Sequence, residues 1–475
     1  MTKIDNRNTN KALFKNTGII AIGQVSTKIV NFLLLPLYTA LLTTEEYGIV
    51  DLLSTLSTLL VVVVGLQMNQ AIFRFLITKR DYIEKLKIII STIMFATFEI
   101  FGIYILLFLV LSPFISLQYK WFLLGNVITV ILLQTTSGIA RGLGKNAEFA
   151  LANFISSTVI IVLNVIFIAI LRMDISAMLV AYIIGPFVGS CVLVIKCKFF
   201  KYISWKMRSK NMLKEVLMYS IPLVPNELSW SIIHSSDRWV VASVLSVAAN
   251  GLIAVASKFS VIYTTAFSIF NASWTEQVVL HYKDEGGPEY INSMFNKMVT
   301  LFACLAMGII ACMPFIFNVL VNIAYNEAYG LVPFYMIAVF FNAIIGLISS
   351  IYLVNNETKQ VAISTMIAAG INLVVDLLLI KSIGYYAAPI SSICGYMVIS
   401  IWRLIDVNKR HCRISISIKK SVALVTLLLV VIVGYYSKEI ILQLSILIVV
   451  AIISFLINKE LLLDMFSPIL KRIKK

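Results

Sequence analysis

Along this chain, apolar runs of roughly 20 residues, each long enough as a helix to cross a hydrocarbon core, follow one another with short polar breaks between them. Cutting at those breaks predicts about fourteen spans, near 14–42, 48–73, 88–111, 121–140, 149–171, 176–195, 216–245, 251–273, 298–320, 332–353, 361–380, 386–402, 420–437 and 441–457. The pattern is that of an all-α polytopic membrane protein. Composition agrees: 60 % of the 475 residues are hydrophobic, 13 % are charged, and the mean hydropathy is +0.94, far too apolar for a soluble globule. Lys3, Arg7, Lys11 and Lys15 precede the first run in the manner of a signal peptide. That run is too long and is followed by too many others, so it reads as an uncleaved first helix.

Charge tests the span count. With the amino terminus inside, 32 of the 39 lysines and arginines fall in inside segments, 4 in outside loops, and Lys28, Arg238 and Lys258 within spans. Positive residues concentrate on the cytoplasmic side of membrane proteins, so the segregation places both termini in the cytoplasm. The net charge of +16 is therefore first a topology signal. A nucleic-acid partner would need those charges on a folded soluble face, and no soluble segment is long enough to supply one. Every outside loop is short, which leaves no room for an extracellular domain.

A basic linker, 196–215, divides the chain into an N-lobe of helices one to six (1–195) and a C-lobe of helices seven to twelve (216–403). Residues 404–475 add helices thirteen and fourteen and a basic tail, with no counterpart elsewhere. Leu42, Gly48, Ser54 and Ser57 recur as Leu245, Gly251, Ser257 and Ser260 at an offset of 203, and Leu163-Asn164 answers Ile371-Asn372 at an offset of 208. Six helices per repeat is an even number. Both lobes then cross in the same sense and are expected to relate by a pseudo-twofold along the membrane normal.

Candidate chemistry concentrates between Tyr219 and Lys258, a stretch that carries Glu227, His234, Asp237, Arg238 and Lys258. Each ionisable group costs about 2.5 to 3.5 kcal/mol near a helix centre, so such residues face a partner or a watery cavity. Lys28 in helix one and Arg238 in helix seven put a cation on the first helix of each lobe, which suggests a cleft for an anion. Lys28 alternatively snorkels or pairs with Glu99 or Asp51. Arg238 and Lys258 each lie about seven residues below the outside turn on antiparallel helices, about 10 Å deep, where they clamp a phosphate or pair with Asp237. Glu99 and Asp376 are single acids in apolar helices, suited to ion coupling or to a structural pairing. His234 is a satisfied interior histidine or a cavity group, and Pro222 and Pro225 bend helix seven where gating movement would occur. The six scattered cysteines form no CxxC or Cys/His spacing, so neither a metal site, a disulfide framework nor a cofactor is expected.

The string SSDRWVVASVLSVAANGLIAVASK resembles the helix-seven signature of bacterial polysaccharide flippases, with Asp237, Arg238, Gly251, Leu252, Ala256 and Lys258 at its marked positions. YSIPLVP at Tyr219 to Pro225 is similar to the family's start of helix seven, EEYG at Glu45 to Gly48 to its first outside turn, and RGLGKN at Arg141 to Asn146 to its loop after helix four. Ile253 stands where the family often has Tyr, and Trp274 is followed by Thr275 and Glu276 rather than by the family's x-Pro. The resemblance implies a repeat-unit flippase for O-antigen, capsule or exopolysaccharide, within the multidrug/oligosaccharidyl-lipid/polysaccharide exporter superfamily. Its cargo would be an undecaprenyl-diphosphate-linked oligosaccharide, moved from the cytoplasmic to the outer leaflet of the bacterial cytoplasmic membrane by alternating access. Its partners would be that cargo, membrane lipid and the polysaccharide polymerase machinery. A lipid II flippase and a multidrug antiporter share the fold. The antiporter's usual cationic cargo fits the intramembrane cations less well, and a membrane enzyme would need the outside loop that is missing. No nucleotide-binding motif is present, so ATP drive is not expected.

Overall fold

The computed structural model describes residues 32–473 apart from 78, 81, 356 and 438. The first half holds α1 (Leu35–Leu41), α2 (Thr44–Val64), α3 (Met68–Ile77), α4 (Ile83–Leu111), α5 (Lys120–Gly142), α6 (Asn146–Asn164), α7 (Ile175–Lys196) and α8 (Lys210–Ser220). Then come α9 (Val224–Val244), α10 (Val247–His281), α11 (Gly287–Leu320), α12 (Val332–Val354), α13 (Thr358–Ile383), α14 (Ala387–Arg410), α15 (Ile418–Tyr436) and α16 (Ile440–Ile473). Among the described residues there is no strand.

Eleven described segments are long and apolar enough to cross a membrane. One of them, Lys359–Arg410, contains both α13 and α14, which part at Gly384, a left-handed residue with φ +61°. α9 has 21 residues, and Glu227, Asp237 and Arg238 make it too polar to join the eleven. Most of the first predicted span lies outside the described residues. The chain is an all-α multi-pass membrane protein.

Local chemistry sets several boundaries. Thr43 caps α2 by accepting from Glu46 N at 3.2 Å while Glu46 Oε2 accepts from Thr43 N at 2.8 Å, a reciprocal capping box. The EEYG residues read as an outside turn are therefore the first turn of α2. The second predicted span, 48–73, is broken: Leu66 and Gln67 take left-handed backbone with φ 47° and 52°, and α3 starts afresh at Met68. The span predicted over 216–245 is likewise two helices. Pro222 sits in a 3-10 turn, Ile221–Leu223, between α8 and α9, and Pro225 falls in the first turn of α9, where its missing N–H leaves no bond unmade. Ser246 caps α10 by accepting from Ala249 N at 3.0 Å, so the turn after α9 comes earlier than the apolar pattern implies.

The described chain forms two compact units that part inside α9, between Ser235 and Ser236. In the first, α5 packs on α2, α3 and α7, and α6 lies along α7. In the second, α12 and α13 pack on α14, α10 packs on α12, and α11 carries α15 and α16. The contacts repeat in kind. A Cβ on Gly189 of α7 would come 2.9 Å from Ser156 Cβ of α6, and one on Gly395 of α14 would come 3.2 Å from Ala368 O of α13. Missing side chains let these helix pairs approach closely. Elsewhere large apolar side chains point outward, as Ile103, Leu106 and Val110 do on α4, which is the arrangement lipid requires.

The basic linker is strapped along one face of α4. Ser91 Oγ donates to Tyr202 O at 3.0 Å and accepts from Ser204 N at 2.9 Å, while Thr92 Oγ1 accepts from Ser209 N at 3.0 Å. One turn on, Trp205 meets Phe95 edge to face with centroids 4.5 Å apart.

Candidate functional site: an interior polar cluster

In the second unit, α9, α10, α13 and α14 bring polar side chains together. Ser236 Oγ on α9 donates to Asn372 Oδ1 on α13 at 2.9 Å, and Asn372 Nδ2 donates to Ser391 Oγ and Ser392 Oγ on α14 at 3.1 and 3.3 Å. Asp376 lies one helical turn beyond Asn372 on the same face of α13. Its residue is fully buried, and neither carboxylate oxygen has a hydrogen-bond partner among the described residues. Asp237 is 4 % exposed and close enough for its charge to act on Asp376 and on the Tyr396 phenol of α14.

Arg238, half-buried, donates from Nη2 to Ser257 Oγ on α10 at 3.1 Å, and its backbone N–H donates to Asp237 Oδ1 at 2.9 Å. Side chains on a helix lean toward its N-terminus, so Arg238 reaches away from the α9–α10 turn. With α10 starting at Val247, Lys258 lies about 7 Å farther from that turn than Arg238, at 1.5 Å of rise per residue, rather than at the equal depth the apolar pattern suggested. The Arg238 side chain spans much of that difference. The structure thus gathers Asp237, Arg238 and Asp376 in one region, with Lys258 next to the serine that Arg238 touches.

The remaining sequence candidates sit elsewhere. Lys28 and the His234 side chain lie outside the described residues. Glu99 is ion-paired with Arg208 of the linker at 2.6 Å, and its side chain is 48 % exposed. Glu227 accepts from Gln70 Nε2 at 3.4 Å. Pro222 and Pro225 mark the α8–α9 break. Among the described residues no group of His, Cys, Asp and Glu is placed to hold a metal ion.

The RGLGKN loop also resolves into parts. Arg141 lies on the rings of Phe73 and Phe149, with its guanidinium carbon 4.7 and 5.4 Å from their centroids. Gly142 leaves space for Leu76, whose Cβ would be 2.6 Å from an added Cβ, and Gly144 is left-handed with φ +80°. Lys145 Nζ donates to Cys197 O at 3.1 Å at the end of α7, and Arg80 donates to Gly142 O at 2.6 Å and Arg141 O at 3.0 Å at the end of α5. Cations on the last carbonyls complement both helix ends.

The family described as Polysaccharide biosynthesis protein matches residues 13–275, more than half of the chain. The chain belongs to the polysaccharide biosynthesis protein family. The matched region of this polysaccharide biosynthesis protein includes the Arg141 loop, Asp237, Arg238 and Lys258, and stops before Asn372 and Asp376. No curated protein matches the sequence with significance. Among solved structures, the fold is similar to the lipid II flippase MurJ in an inward closed conformation, at 15 % identity and TM-score 0.74, over 94 % of this chain and 99 % of that one. It is also similar to an inward-facing multidrug resistance MATE family transporter of the MOP superfamily, at 14 % identity and TM-score 0.66, over 82 % of this chain and 98 % of that one. A MOP superfamily transporter from Pyrococcus furiosus matches at 15 % identity and TM-score 0.51, over 84 % of this chain and 96 % of that one. This polysaccharide biosynthesis protein therefore has a MOP-type transporter fold.

Sequence reasoning did not assign Ser236, Asn372, Ser391 or Ser392 to the cluster. Asn372 was visible only as one half of the internal repeat. Its counterpart Asn164 behaves alike in the first unit, donating to Tyr38 Oη of α1 at 2.9 Å.

Proposed function

We propose that this protein is a flippase, not an enzyme, moving an undecaprenyl-diphosphate-linked oligosaccharide repeat unit from the cytoplasmic to the outer leaflet of the bacterial cytoplasmic membrane by alternating access. The observation that carries the reading is a polysaccharide biosynthesis chain that follows a lipid II flippase fold along 94 % of its length. Both termini are cytoplasmic in this reading, and the polymerase machinery takes the flipped unit.

Arg238 and Lys258 hold the diphosphate; guanidinium and ammonium donors suit phosphoryl oxygens. Asp376 is the coupling acid. A carboxylate buried without a hydrogen-bond donor gains from a proton or a small cation that binds in one state and leaves in the other. Glu99 stays outside this group because Arg208 holds it. The proline-marked break between α8 and α9 is the point at which helix seven bends during the cycle.

The test is the sidedness of lipid-linked repeat units in inverted vesicles from cells with the intact protein, without it, and with Arg238→Gln at equal expression. Accumulation on the cytoplasmic leaflet in the last two supports the reading. Sidedness that does not depend on the protein removes it.

A further inference from the structure

The first unit contains a cavity of about 860 Å³ bounded by α3, α5, α6 and α8. Arg74 and Arg141 supply its charge. Asn69 and Gln70 from α3, Gln134 from α5 and Asn153 from α6 supply carboxamides, and no carboxylate lines it among the described residues. Glu227 touches it only through Gln70.

Both guanidiniums are held by ring faces instead of by acids. Arg74 lies 4.3 Å from the Tyr219 centroid, and Arg141 lies between Phe73 and Phe149. Aromatic faces fix a cation in place without neutralising it. Among the described residues neither arginine makes an ion pair. Arg141 Nε is buried with no hydrogen-bond partner, and so is Ser137 Oγ, one turn away on α5 and in a residue only 8 % exposed. Arg403 of α14 shows how a purely structural guanidinium is treated in this protein. It is fully buried and satisfied by Ser349, Ser364, Thr365 and the Val361 carbonyl. Buried polar groups left open, as at Arg141 and Ser137, mark a place where a partner is absent.

The walls are built for this opening. Gly138 and Gly142 let α3 press against α5, since a Cβ on Gly138 would stand 3.1 Å from Asn69 O. On α3, Asn69, Phe73 and Ile77 follow the cavity at helical spacing; on α5, Gln134, Ser137 and Arg141 do the same. The left-handed pair Leu66 and Gln67 breaks helix two just before Asn69. Interrupted helices mark binding sites in transporters. Arg74 and Arg141 stand at the ends of α3 and α5 that charge segregation assigns to the cytoplasm.

We infer that this cavity is a loading site for a phosphorylated saccharide headgroup, separate from Arg238 and Lys258, which belong to the other unit. The guanidiniums take phosphoryl oxygens, and the carboxamides, with Ser137, take sugar hydroxyl and amide groups. Its volume lies within the range of about 300–1,000 Å³ of small-molecule sites. The inference rests on the cargo class proposed above. The same headgroup chemistry occurs on a membrane lipid and on a soluble nucleotide sugar, and the lipid-linked form is the one assigned here.

The test uses full-length protein in detergent and three probes: a water-soluble short-chain prenyl diphosphate N-acetylglucosamine, UDP-N-acetylglucosamine and inorganic diphosphate. The prenyl probe is expected to bind more tightly than the nucleotide sugar. Arg141→Gln and Arg74→Gln should each weaken it at least tenfold, with thermal melting unchanged within a few degrees. Gln134→Leu should weaken the sugar-bearing probes and leave diphosphate unaffected, which keeps the idea testable should the arginine variants misfold. Undiminished binding in a folded Arg74→Gln/Arg141→Gln variant overturns the cavity assignment. Binding of the nucleotide sugar in preference to the prenyl probe overturns the lipid-linked source. Should the folded double variant keep its binding while sidedness still depends on the protein, the flippase reading stands and only the cavity falls. Protein-independent sidedness removes the cargo reading on its own.

Discussion

Ser236 on α9 donates to Asn372 on α13 at 2.9 Å, and one residue along α9 and one turn along α13 the charge of Asp237 reaches Asp376. Both acids stand beside that bond, Asp237 directly after Ser236 and Asp376 one turn beyond Asn372. Replacing Asn372 by Leu would leave Ser236, Ser391 and Ser392 without their shared partner in a residue site only 1 % exposed. The expected cost is about 1–3 kcal/mol, read as a lower melting temperature, and Asn372→Ser should recover part of it.

Asp376→Asn is expected to keep the fold, because it removes a buried charge that has no hydrogen-bond donor. If Asp376 couples transport to an ion gradient, the variant should flip lipid-linked units at a rate that no longer responds to collapsing that gradient. A response equal to that of the unaltered protein would remove Asp376 from the coupling step.

Glu99→Gln supplies the contrast. The Glu99–Arg208 pair is partly exposed, with side chains 48 % and 26 % accessible, so solvent screens it and its loss should cost under about 1 kcal/mol. Gradient dependence should be unchanged. A lost response in Glu99→Gln would return this acid to the candidates.

Gly142→Val should destabilise the first unit by about 1–3 kcal/mol, since even a Cβ would meet Leu76 at 2.6 Å. Gly102→Ala on α4, where an added Cβ meets nothing within 4 Å, should be neutral or gain up to about 1 kcal/mol from helix propensity. Melting temperatures of the pair decide whether the α3–α5 contact is as close as described.

Cys412 lies between α14 and α15, and burial pushes its thiol up to about 11 from the ordinary value of 9.0. It therefore stays protonated at pH 7–9 and should label slowly with maleimide there. Labelling should quicken only on unfolding or as pH approaches about 11. Fast modification at pH 7 in the folded protein would contradict the buried position.

The chain's own pattern determined what short segments determine. Apolar run length marked the spans, Pro222 and Pro225 marked a bend in the stretch that folds as α8 and α9, and the 60 % hydrophobic composition demanded lipid. The adjacency of Asp237 and Arg238 and the spacing that relates Leu163-Asn164 to Ile371-Asn372 were also legible, because each lies along the sequence. Partnership between distant residues was not. Glu99 read either as a coupling acid or as a structurally paired one, and only folding supplied its partner, Arg208, 109 positions away. Arg74 and Arg141 read as ordinary inside-loop charges, and only the packing of α3, α5, α6 and α8 set them on aromatic rings around a cavity. The broken second helix was hidden for the same reason: Leu66 and Gln67 are unremarkable as a sequence, and left-handed backbone there is held by surrounding packing, not by residue preference. A side chain's cost in the membrane is written in its own chemistry, whereas what offsets that cost is supplied by whichever residues the tertiary fold brings within a few ångströms.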